Sequence, residues 1–135
     1  EEFRTSVLRE LSRLLTEKIR VADQLGTLQA HSFLVLLPHT SALQATLVAE
    51  RIRTAFSALV VEVDESRIPV TLSIGVAAVQ DQETLFFDSL LSQAEAALEW
   101  ASEAGGDRVC AFETERFKTS SDGGDSGGRR EGGKP

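Results

Sequence analysis

The apolar residues of this 135-residue chain change period repeatedly, from helix-like to strand-like and back. Phe3, Val7, Leu8, Leu11, Leu14, Leu15 and Ile19 recur at three- and four-residue spacing, which sets them on one face of a helix over residues 1–19. Residues 23–28 then read as a strand. Residues 33–38 read as a second, short, apolar and partly β-branched, as a buried strand should be. Gln29, Ala30 and His31 make the turn between them. A helix capped by Thr40 or Ser41 runs to about residue 58, with Leu43, Leu47, Val48, Ile52, Ala55 and Phe56 inward. Strands are expected at 60–63 and 69–79. The last helix spans about 85–104, with Phe87, Leu90, Leu91, Ala94, Leu98 and Ala101 on its buried face. Gly105 and Gly106 end it, because glycine takes the left-handed cap conformation without strain. A closing strand follows at 108–112. This order predicts an α+β fold with helices packed on one face of a largely antiparallel sheet.

A chain of this length holds one domain with one core. From about residue 119 it is Gly, Ser and charge without an apolar residue, which predicts a domain over 1–118 and a disordered tail or linker over 119–135. A net charge of -7 argues against non-specific binding to nucleic acid or a membrane surface, both of which need a basic face. No apolar run approaches the roughly 18–20 residues of a membrane-spanning helix, so no membrane contact is expected of this segment. A lone cysteine, Cys110, excludes an internal disulfide and fits a reducing, cytoplasmic setting. The chain has no methionine and reads as a piece of a longer protein.

Several motifs stand in order along this frame. Arg20-Val21-Ala22-Asp23 is followed at 29–33 by Gln-Ala-His-Ser-Phe and then the strand. Leu36-Leu37-Pro38-His39-Thr40 leaves that strand, and Ala49-Glu50-Arg51-Ile52-Arg53 lies in the next helix. Val70-Thr71-Leu72-Ser73-Ile74-Gly75-Val76-Ala77 forms a later strand, and Ala94-Glu95-Ala96-Ala97-Leu98 and Gly105 to Val109 close the series. Together they resemble the GGDEF (diguanylate cyclase) domain family, over nearly all of residues 1–112. The resemblance implies a ferredoxin-like palm of the nucleotide cyclase type. It also implies that a first strand and helix of that palm, with a metal-binding aspartate, precede this chain's first helix. Without that central strand, neighbouring strands would have open edges liable to associate.

The family's catalytic signature aligns with residues 29–33. Gln29 and Ala30 stand for its two glycines, His31 and Ser32 for its two carboxylates, and only Phe33 is retained. Joining two GTP molecules needs divalent metal on hard oxygen ligands, and an imidazole and a hydroxyl replace them poorly. Side chains at 29 and 30 fill space that glycine leaves to the ligand. The family's late-helix lysine, tyrosine and following arginine align with Ser102, Glu99 and Gly106. The expectation is a pseudoenzyme with no catalytic residue, no metal and no cofactor.

The resemblance implies that an inhibitory-type site for cyclic di-GMP survives at Arg20, Asp23 and Arg51. The chemistry suits that ligand. Guanidinium forks onto phosphate oxygens or the guanine Hoogsteen edge and stacks on purine faces. A carboxylate accepts from guanine N–H groups. Two arginines balance two phosphates. A purely structural role fits the same residues. Arginine at a helix C-terminus is favoured by the macrodipole, Asp23 could pair with Arg20, and Arg51 or Arg53 could pair with Glu50 or Glu62. The expected function is a non-catalytic module that senses cyclic di-GMP and relays it to other domains of the parent chain. The alternative is a ligand-free structural or dimerisation module, and an active cyclase comes last.

Four further features weigh less. His31 and His39 flank one strand, but two histidines without a third ligand are more often surface residues than a metal site. Cys110 reads as an inert core thiol. Trp100 falls off the inward face of its helix and reads as a partly exposed residue, with a partner interface slightly favoured. Gly123-Gly124-Asp125 is linker composition, not a displaced signature.

Overall fold

The computed structural model describes residues 2–29, 32–79 and 86–113. Helix α1 spans Glu2–Lys18, and a hairpin follows, β1 (Gln24–Gln29) and β2 (Ser32–Leu36). Helix α2 spans Ala42–Ser57. A second hairpin joins β3 (Val60–Val63) to β4 (Ser66–Pro69). Strand β5 (Ser73–Val76), helix α3 (Phe87–Glu103) and strand β6 (Arg108–Ala111) complete the order.

Among the described residues the strands form three two-stranded ladders. β1–β2 and β3–β4 are antiparallel, and β5–β6 is parallel, with Gly75 opposite Cys110. α3 is the crossover that a parallel pair requires. This pair brings a second helical layer that element order alone does not give. Ile74, Val76, Val109 and Ala111 pack towards Ala45 and Ala49 of α2. Gly75, on the other face, meets α3: an added Cβ there would run into Ala94 O and Leu98 N and lie 2.8 Å from Leu98 Cα. Only glycine lets helix and strand approach this closely. Ala97 and Ala101, both fully buried, continue the small-residue face of α3.

The larger core lies between α1 and α2. Leu11, Leu14 and Leu15 meet Ile52 and Phe56, with Leu25, Phe33, Val35 and Ile74 packed around them. Leu11, Leu14 and Leu15 of the stripe expected on α1 are thus buried, while Phe3 near its start is 39% exposed, and Phe33 serves the core.

Local signals placed several boundaries. Ser41 is the α2 N-cap, accepting from Gln44 N, while Gln44 Oε1 accepts from Ser41 N: a reciprocal capping box. Gly105 and Gly106 follow α3 at φ 121° and 74°, in the left-handed region. Three expectations are corrected. The strand expected at 69–79 is split: Ser66–Pro69 pairs back on β3 and β5 begins at Ser73. Asp64 and Glu65, at φ 52° and 68°, make the two-residue turn that allows this, a conformation more usual for Asn-Gly than for Asp-Glu. Leu43, Leu47 and Phe87 are 71%, 50% and 50% exposed, not inward, because the neighbouring elements cover adjacent faces of α2 and α3. Trp100 is 5% exposed, stacked on Phe112 with centroids 5.6 Å apart. Phe112, just after β6, covers the indole, so Trp100 is a buried residue and not the partly exposed one expected. The tail expected at 119–135, including Gly123–Asp125, lies outside the described residues.

Candidate functional site

α1 ends at Lys18, and the next residues turn back on themselves, with Asp23 N donating to Arg20 O at 3.0 Å. The turn lets Asp23 reach back over it. Asp23 Oδ2 accepts from Arg20 N at 2.7 Å and from Arg20 Nε at 3.3 Å, and Oδ1 accepts from Nη2 at 2.9 Å. The Asp23 side chain is 2% exposed, that of Arg20 59%. Arg20 holds the Asp23 carboxyl below its ordinary pKa by hydrogen bonding, partly opposed by burial, and Asp23 raises the guanidinium in turn. Both groups are charged near neutral pH.

The same guanidinium ties down a second loop. Nη2 also donates to Pro38 O and to Thr40 Oγ1, each at 3.0 Å, and Thr40 Oγ1 donates to Pro38 O at 2.9 Å. His39 turns this loop at φ 54°, a left-handed conformation that directs the chain from β2 into α2. Arg20 Nη1 has no hydrogen-bond partner among the described residues.

Around this staple lies a hollow of about 390 Å³, within the usual size of small-molecule sites. Arg20 and Asp23 line it from one side. Gln44, Leu47, Val48 and Arg51 line it from α2, at the three- and four-residue spacing of one helix face. Leu37, Thr40 and Lys18 complete it. Leu37, Leu47 and Val48 give an apolar wall, and Lys18 and Arg51 make no ion pair among the described residues. Such a cavity offers apolar area for a flat ring beside cations for anionic oxygens.

The three residues expected to bind ligand, Arg20, Asp23 and Arg51, thus share one hollow. Arg53 does not line it. Its Nε donates to Glu50 at 3.0 Å and its Nη1 to Asp107 at 2.8 Å, while Glu62 faces Arg67 at 3.7 Å. Lys18 and Gln44 were not singled out for binding by sequence; helical spacing back from Arg51 could have found Gln44. Of the residues aligned with the family's signature, Gln29 ends β1, Ser32 opens β2 opposite it and Phe33 joins the core. Ala30 and His31 lie outside the described residues. Among those described, no three His, Cys, Asp or Glu cluster to hold a metal ion. Cys110 is free and half-buried in β6.

Comparison with known proteins agrees over most of the chain. Residues 5–108 match the family described as "Diguanylate cyclase, GGDEF domain". Diguanylate cyclase A of Treponema denticola is 35% identical over 104 residues, covering 76% of this chain and 28% of that protein. The diguanylate cyclase SiaD of Pseudomonas aeruginosa, solved in complex with its activator SiaC, is similar with a TM-score of 0.70 at 33% identity, over 78% of this chain and 40% of that one. The GGDEF domain of DgcB from Caulobacter crescentus, solved with c-di-GMP, shares the fold with a TM-score of 0.71 at 21% identity, over 78% of this chain and 62% of that one. The chain spans 28% and 30% of the length of two curated relatives it matches. The fold is the mixed helix-and-strand palm of the cyclases, and the chain belongs to the GGDEF domain family.

Proposed function

We propose that this chain is a non-catalytic GGDEF module that binds cyclic di-GMP in the hollow at Arg20 and relays its occupancy to other domains of the parent protein. The observation that carries the reading is the meeting of Arg20, Asp23 and Arg51, from two separate segments, around one apolar-walled hollow. Arg20 is held rigidly enough to present Nη1 and its flat face without further ordering. Arg51 supplies a second guanidinium for phosphate. Loss of turnover follows from the residues at 31 and 32, where His and Ser stand for metal-binding carboxylates. A cytoplasmic setting belongs to this proposal, and among the described residues no helix is long and apolar enough to cross a membrane.

A second reading draws on the same staple. Arg20 Nε and Nη2 are already satisfied by Asp23, Pro38 and Thr40. That bracing of two loops needs no ligand and is what a structural or dimerisation module would keep. Titration calorimetry separates the two. The receptor saturates with cyclic di-GMP at micromolar concentration or below and ignores GTP. The scaffold gives no saturable heat at high micromolar ligand.

A further inference from the structure

We infer that β1 is a docking edge for a second copy of this chain, paired antiparallel about a two-fold axis at Gly26, with Leu28 of each copy seated over Gly26 of the other. β1 pairs only with β2 among the described residues, so its outer edge keeps backbone donors and acceptors without a strand partner. Gln24, Gly26, Thr27 and Leu28 are exposed. β2 and β5 are half-buried or buried at every residue, as inner strands are.

Charge selects the occupant. β1, Gln-Leu-Gly-Thr-Leu-Gln, carries neither a charge nor a proline, the usual defences of an exposed edge. Set against its own copy, it meets no like charge. The β3–β4 hairpin would set Glu62, Asp64 and Glu65 against the same acids, and β6 opens with Arg108. In a chain of net charge -7, two copies meet most easily where the surface is neutral.

Gly26 is an independent observation. A Cβ added there would meet nothing within 4 Å, and its φ lies outside the left-handed region. Nothing within one chain therefore calls for glycine at 26, and glycine weakens a strand. The missing Cβ bares the flank of Leu34, which stands directly opposite on β2 and shares its face. Leu28, set out of register by the bulge between Thr27 and Gln29, is 40% exposed. With the axis at Gly26, Leu25 stands opposite the partner's Thr27. The partner's Leu28 then stands diagonal to Gly26, where a long side chain reaches the notch beside Leu34. The two-fold axis repeats the contact, so knob and notch are each used twice. No ligand enters this contact.

One strand pair is a small interface, so half-dimerisation is expected at roughly 10–100 μM. Sedimentation velocity on the full chain, up to about 500 μM, is paired with melting curves and hydrogen exchange. Leu28→Lys should weaken dimerisation about tenfold or more by placing a charge on the edge. Gly26→Val should weaken it as much by filling the notch, while Tm holds or rises, because the new side chain meets nothing in the monomer and valine suits a strand. Leu43→Lys, at a 71% exposed leucine of α2, should leave the dimer intact. Exchange at residues 24–28 should slow with concentration in wild type and not in Leu28→Lys. A wild type that stays monomeric overturns the proposal and gives the edge to a strand of a different chain. A dimer that survives both Leu28→Lys and Gly26→Val, or that Leu43→Lys dissolves, overturns it as well.

Discussion

Asp23 grips Arg20 at three atoms, the backbone N at 2.7 Å, Nε at 3.3 Å and Nη2 at 2.9 Å, across a single turn of chain. The grip turns a flexible side chain into a fixed bracket between the α1–β1 turn and the β2–α2 loop. Arg20 thus braces two loops, and under the proposed function it also binds the ligand, so substitution reads out both.

The first prediction is a pH dependence. The folded-state pKa of Asp23 lies below its ordinary value, chiefly through the Arg20 hydrogen bonds. A depressed carboxyl stabilises above its unfolded pKa, near 3.9, and that contribution is lost as pH falls through the folded value. Asp23→Asn should lower Tm by about 5 °C at pH 7, and the gap to wild type should shrink below about pH 4. Trp100, the only tryptophan, stacks on Phe112 and gives a fluorescence signal for the melt. A gap that stays constant down to pH 2 contradicts the assignment.

Binding should discriminate between neighbouring arginines. Arg20→Ala should weaken cyclic di-GMP by roughly 30- to 1,000-fold and also lower Tm, since Pro38 O and Thr40 lose their donor. Arg51→Ala should weaken binding and flatten its salt dependence with little change in Tm, because Arg51 makes no ion pair among the described residues. Arg53→Ala should leave binding intact and lower Tm by about 1–4 °C through loss of its bonds to Glu50 and Asp107. Equal effects of Arg20→Ala and Arg53→Ala on affinity refute the site.

Incubation with GTP and magnesium or manganese should yield no cyclic di-GMP above a heat-killed control. The reason is the pair His31 and Ser32 where the metal needs carboxylates. Product that accumulates, and disappears with His31→Ala, refutes the non-catalytic reading.

Gly75→Ala tests the packing of the parallel ladder. The new methyl meets Ala94 O and the Leu98 backbone, which a rigid helix cannot move aside cheaply. A loss of about 3 kcal/mol or more is expected, read as a lowered Tm or insoluble protein. A Tm within 2 °C of wild type shows that α3 sits farther from β5.

Much of this architecture was written locally. The α1 stripe of Leu11, Leu14 and Leu15, a hydroxyl cap at residue 40 or 41, the Gly105–Gly106 stop and the Arg20–Asp23 motif each depend on residues within about four positions of one another. Periodicity and capping chemistry act over that range, so a linear reading reaches them. The split at residues 66–73 escaped because Asp64 and Glu65 carry no glycine to announce a left-handed turn.

The sequence by itself determined the apolar stripe of α1 around Leu11, Leu14 and Leu15, the Gly105–Gly106 stop of α3, and that residues 31 and 32 carry no carboxylate. Tertiary structure alone decided what lies across from each residue. Phe112 covers Trp100, Asp107 meets Arg53 at a separation of 54 residues, and Lys18 and Gln44 join Arg20 and Arg51 around one hollow. Those contacts form when packing closes loops between distant segments. Their energy depends on the whole core being in place, so no local pattern records them.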